Sequence, residues 1–167
     1  MKSLLLCMTL VAALGSTKAI LADDTPSRED AVRARGAEVM PFHLADTIHV
    51  FEKTETGGVQ RVKARDGHAD EVPMIRTHLR KIADSFAQHD FSGPAHVHGE
   101  AMPGLAELRS AKDGELTVTF REIDAGAEVT YWGATPQMRD AIHRWFDAQL
   151  ADHGHDAMGH DQHEHMP

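Results

Sequence analysis

The chain has 167 residues, with 17 Lys and Arg against 26 Asp and Glu and a formal net charge of −9 at pH 7. An acidic chain repels nucleic acid and anionic lipid, so neither is expected as a partner, and it attracts cations. The length suits one domain with its own core and is short for two.

The first residues read as a signal peptide, residues 1–22. Lys2 gives a positive start, Leu4 to Leu14 is an eleven-residue apolar core, and small residues run on to Ala22 before Asp23 and Asp24. A membrane-spanning helix needs about 20 apolar residues, so this core is too short to be one. Cleavage is expected after Ala22, with Ala19 the alternative, which makes the mature chain periplasmic or secreted. Cys7 is the only cysteine and leaves with this segment. The mature chain then has no disulfide, thiolate ligand or cysteine nucleophile. Losing Lys2 and Lys18 takes the formal charge from −9 to −11.

Residues 23–40 are expected to hold a short charged helix, with Ser27 as N-cap and acidic residues in its first turn. Residues 41–154 read as a single α+β domain. Around Gly57-Gly58, "DTIHVFEKTETGGVQRVKARD" alternates as a hairpin does. An amphipathic helix follows, with Ile75, Leu79, Ile82 and Phe86 at helical spacing. The stretch "FSGPAHVHGEAMPGL", rich in Gly and Pro, reads as a connection without an element of its own. A second hairpin turns near Asp124 to Gly126, and a last helix has Thr135 as N-cap, Pro136 in its first turn and Gly154 as its stop.

Each half is thus a hairpin followed by a helix. A slide of 63 residues lays Pro136 on Pro73, Met138 on Ile75, Ile142 on Leu79 and Trp145 on Ile82. The expectation is a ββα–ββα duplication forming a four-stranded antiparallel sheet, with both helices on one face.

The chemistry lies in 13 histidines. The end of the chain, "HGHDAMGHDQHEHMP", combines His153, His155, His160, His163 and His165 with Met158 and Met166, and carboxylates accompany them. Imidazole binds copper, zinc or nickel, and thioether sulfur selects Cu(I). Residues 155–167 therefore read as a flexible metal-binding tail, copper ahead of zinc, and they show no apolar periodicity to bury. A solvated tail that merely aids solubility is the bland alternative.

Inside the domain, "HVHGEAM" offers His96, His98 and Met102, which lie to one side if the backbone is extended. His78 sits among the apolar residues of the first long helix, His143 beside those of the last, and His49 two residues before Phe51 on a strand. Singly, such histidines read more readily as packed core residues than as ligands. Together they offer imidazoles on two helices, a strand and a connection that one compact fold can assemble. His43 and His68 read as ordinary exposed residues. No G-x-S-x-G, phosphate-binding glycine loop or H-E-x-x-H is present, so no catalytic residue is assigned. Acid–base chemistry by a histidine with Glu100 or Asp147 stays open.

Several phrases, "MPFHLADTIHVF", "GGVQRVKARD", "IRTHLRKIADSFAQHDF", "HGEAMPGL" and "WFDAQLADHGHDA", resemble a group of small exported bacterial proteins. The likeness covers residues 38 to 157 and implies His49, His78, His98, His143 and His153 as a shared site. Members of that group are often labelled aspartate carbamoyltransferase. A transcarbamoylase resembles two α/β domains with a Ser-x-Arg-Thr-Arg phosphate loop, and no such loop occurs here. The expected function is periplasmic metal binding as a buffer or carrier. The alternatives are an exported enzyme with a His-lined site and an interaction module with a metal-binding tail.

Overall fold

The computed structural model describes residues 26–154 and 157–159. The expected signal peptide lies outside the described residues, as do His155, His160, His163, His165 and Met166. The elements in chain order are α1 (Arg28–Val39), β1 (Thr47–Thr54), β2 (Gly57–Ala64), α2 (Val72–Phe86), α3 (Ser92–His98), α4 (Leu105–Arg109), β3 (Leu116–Ile123), β4 (Gly126–Gly133), α5 (Pro136–His153) and β5 (Ala157–Gly159). Among the described residues no helix is long and apolar enough to cross a membrane.

Among the described residues the fold is α+β, with five α-helices and a mixed five-stranded sheet in the order β3-β4-β2-β1-β5. The two hairpins, β1–β2 and β3–β4, join through antiparallel pairing of β2 with β4. The fifth strand corrects the expected four-stranded sheet. β5 lies parallel to β1, with Ala157 opposite His49 and Met158 opposite Val50. Residues 157–159 therefore belong to the domain rather than to a free tail. Parallel pairing needs no hairpin turn, and the end of α5 delivers the chain to the open edge of β1.

His49 and Phe51 share a sheet face with Val62 and Gln60, their partners on β2, and with Ala127, Val129 and Tyr131 on β4. Helices α2 and α5 cover this face. Phe86, Trp145 and Phe146 surround the Tyr131 ring at centroid distances of 6.3, 5.3 and 5.5 Å. The other face is polar: Arg61 binds Glu52 at 2.6 Å and Glu128 at 2.8 Å, and Arg121 holds the second oxygen of Glu128. One face buries apolar surface and the other solvates charge, as a half-covered antiparallel sheet should.

The caps follow the sequence reading. Ser27 accepts from the Asp30 amide, and Thr135 accepts from the Met138 amide. The glycine pair does not make the first turn. Glu55-Thr56 is the turn, and Gly58 lies in β2, where an added Cβ would sit 2.4 Å from the Phe146 ring. The stretch read as a plain connection contains a short helix, α3, and a second, α4, starts at its last residue, Leu105. Pro94 falls in the first turn of α3, where a missing amide proton is harmless.

Candidate functional site

Four of the expected histidines line one cavity. It has a volume of about 330 Å³ and lies between the sheet, α2, α3 and α5. His49 comes from β1, His78 from α2, His98 from α3 and His153 from α5. Phe42, Leu79, Phe86, Val97 and Trp145 supply apolar wall. Each imidazole arrives for a local reason: strand alternation turns His49 to the core face, and His153 ends the buried stripe of α5 at the Gly154 stop.

His153 is the centre of the group. Its ring lies 5.7 Å from that of His49 and 5.1 Å from that of His98, centroid to centroid. Imidazoles on one tetrahedral ion, with metal–nitrogen bonds near 2.0–2.1 Å, place their centroids about 5 Å apart. The donor nitrogens of these histidines do not all lie within 4.8 Å of one another, so closing on an ion requires side-chain rotation. His78 stands further out and makes an edge-on contact with Phe42, centroids 5.5 Å apart.

A carboxylate and a guanidinium orient His98. Its Nδ1 lies 2.9 Å from Asp152 Oδ2, and Arg28 donates Nε and Nη2 to the two Asp152 oxygens at 2.5 and 2.7 Å. Arg28 also donates to the His98 carbonyl at 3.2 Å. With the Nδ1 hydrogen committed to Asp152, Nε2 is the nitrogen left for a ligand, the arrangement that fixes metal-binding imidazoles. Burial pushes the Asp152 carboxyl up, and the hydrogen bonds from Arg28 and His98 outweigh it, so its pKa is lowered.

The imidazoles are held neutral. Burial pushes His49 down to about 3, helped by the neighbouring His153 and His78. Burial likewise pushes His153 down to about 4, with His98 adding to it and Asp152 opposing it. His98 is lowered by burial against the pull of Asp152, and His78 by burial and then by Lys81. Neutral imidazole is the metal-binding and hydrogen-bonding form. His49 Nε2 and Trp145 Nε1 are buried without a hydrogen-bond partner. Such an orphan costs about 1–3 kcal/mol, so a buried ring nitrogen without a partner marks a functional candidate.

The other expected ligands are elsewhere. His96 and His98 lie on helix α3, not extended backbone, so residues two apart face different sides; His96 is exposed, 3.6 Å from Glu38. Met102 is packed in the hydrophobic core. His143 Nε2 lies 3.0 Å from the Thr54 carbonyl and 2.9 Å from that of Gly57, pinning α5 to the first hairpin. Met158 pairs with Val50 and so falls on the face opposite His49. Arg28 and Asp152 were missed as a pair, being 124 residues apart. Also missed was a group just before the start of β1. His43, Asp46 and Glu71 offer donor atoms within 4.8 Å of one another, and they are the group among the described residues that meets this distance.

No protein-family model, curated protein or solved structure matches the chain.

Proposed function

We propose that this chain is an exported metal-binding protein, a buffer or carrier, that holds copper or zinc in the cavity through His49, His98 and His153. The observation that carries the reading is the convergence of three neutral imidazoles, one with an unpartnered Nε2 and one already oriented by Asp152. Copper leads because equal nitrogen donors favour Cu(II) over Zn(II), and Cu(I) accepts a low-coordinate imidazole set. Export is supported by the residue pattern of 1–22, and the His/Met-rich end of the chain would add a second, looser metal reservoir. The recurrence of strand–strand–helix in β1–β2–α2 and β3–β4–α5 supports an internal duplication, with each hairpin offering its second strand to the shared centre.

Competition titration of the full chain with Cu(II) and Zn(II) tests this. Substituting His49→Ala together with His153→Ala should weaken the tightest site at least tenfold. An unchanged tightest site would place the tightest binding elsewhere in the chain and refute the cavity.

A second reading rests on the cavity's size. Its volume of about 330 Å³ greatly exceeds what an ion and one water require. Room for an organic molecule beside the histidines favours an exported enzyme, and turnover abolished by His153→Ala would separate it from a carrier.

A further inference from the structure

We propose that His43, Asp46, His68 and Glu71 form a second divalent-cation site, of the zinc class, outside the cavity. Two turns built to one plan carry it. The 3-10 turn Leu44–Asp46 has His43 at its N-cap and Asp46 as its last residue, and the 3-10 turn Ala69–Glu71 has His68 at its N-cap and Glu71 as its last. The Asp46 amide donates to the His43 carbonyl at 3.1 Å, and the Glu71 amide to the His68 carbonyl at 3.0 Å. Residues three apart eclipse in this geometry, so each turn presents an imidazole and a carboxylate on the same side.

The turns pair crosswise. His43 Nδ1 is 2.7 Å from Glu71 Oε1, and His68 Nδ1 is 3.4 Å from Asp46 Oδ1. His43 Nδ1 also lies 3.9 Å from Asp46 Oδ2. The Arg65 backbone N–H donates a hydrogen bond of 2.8 Å to the Asp46 carbonyl and ties the two segments together. Donors on one tetrahedral zinc, bonded at 2.0–2.1 Å, stand about 3.3 Å from one another. The three measured separations bracket that value; His43, Asp46 and Glu71 already offer donors within 4.8 Å of one another, and the His68 ring, which touches only Asp46, must turn to join them.

Glu71 is the independent sign. The residue is only 3 % exposed, and its Oε2 is buried with no hydrogen-bond partner. A buried carboxylate oxygen without a donor is expensive, and His43 meets only the other oxygen. A cation would satisfy it, and two carboxylates with two neutral imidazoles would balance a 2+ charge. The His43 side chain is 78 % exposed, so the site opens to solvent and leaves room for a bound water. Hard oxygen donors with imidazole suit Zn(II) and exclude a preference for Cu(I). In this respect the site differs from the cavity, and it does not depend on the cavity binding anything.

The test is an imidazole-nitrogen NMR titration of the full chain with Zn(II) at pH 7. The ring nitrogens of His43 and His68 should shift together and saturate at a stoichiometric addition. That response should persist in the His49→Ala/His153→Ala variant and be lost, or weakened at least tenfold, in Glu71→Gln. Asp46→Asn, at a less buried carboxylate, should weaken it likewise and is read instead if Glu71→Gln does not fold. Unmoved His43 and His68 signals, separate shifts of the two, or a response indifferent to both substitutions would reduce the group to two ion pairs and overturn the proposal.

Discussion

Lowering the pH from 7 to 5 should destabilise the metal-free protein by about 3–4 kcal/mol through two residues alone. His49 and His153 have folded-state pKa values of about 3 and about 4, against about 6.5 for an unperturbed imidazole. These folded values are depressed for a base, so the unfolded chain binds the protons first. Stability is therefore full above pH 6.5, falls as pH drops through 6.5, and stops falling below the folded values. In that window each histidine contributes a slope approaching about 1.4 kcal/mol per pH unit, or about 1.9 kcal/mol between pH 7 and 5. Both rings stay neutral in the folded state throughout, so their mutual repulsion does not enter and the two contributions add. The lowered His78 and His98 act in the same direction, and His43, raised by its hydrogen bond to Glu71, acts in the opposite one. A domain of this size has a total stability of about 5–15 kcal/mol, so the loss is large. Urea unfolding in chelator, followed by tryptophan fluorescence at both pH values, measures it. A loss below about 1 kcal/mol, or NMR evidence that His49 and His153 protonate between pH 7 and 5 in the folded protein, would refute the argument.

Trp145→Ala should cost about 3–5 kcal/mol, because the fully buried ring packs against Tyr131, Phe86, Phe91 and Phe146; a near-neutral urea midpoint would contradict this. Gly58→Val should unfold the domain or shift Phe146 out of place, read by the near-ultraviolet circular dichroism of the aromatic cluster. Ending the chain at Gly154 removes β5 and uncovers β1, so the thermal midpoint should fall by several degrees in metal-free buffer; no change would mean that β5 adds nothing to the sheet. Metal affinity at the cavity should fall far less between pH 7 and 5 than the loss of about 10⁴-fold for three ordinary imidazoles, since His49 and His153 are already neutral and burial lowers His98 as well. Competition titrations at the two pH values distinguish these cases.

The period of the sequence carried the helices and hairpins. The stripe Ile75, Leu79 and Phe86 on α2 and the Thr135 and Ser27 caps are local signals, and the structure uses them locally. Gly58 was misread because a glycine in a strand serves a distant neighbour as often as a turn, and Phe146 is 88 positions away. β5 was illegible: a three-residue parallel strand needs no alternation, only an open edge. The same limit applies to the site. Histidines on β1, α2, α3 and α5 could be listed from the sequence, but which of them meet is decided by tertiary packing. It kept His49, His78, His98 and His153 together and sent His143 to the hairpin and His96 to solvent. The Arg28–Asp152 pair and the crossed turns at His43 and His68 join segments with no local pattern in common.

The central claim is that the cavity histidines bind a metal ion, and an anomalous-difference map tests it most directly. The full chain would be crystallised with one equivalent of Cu(II) or Zn(II) and data collected at that metal's absorption edge. The account predicts the strongest peak inside the cavity, about 2.0–2.1 Å from ring nitrogens of His49, His98 and His153, with Asp152 still bound to His98 Nδ1. A strongest peak elsewhere, with the cavity empty and the three rings unmoved, would contradict it.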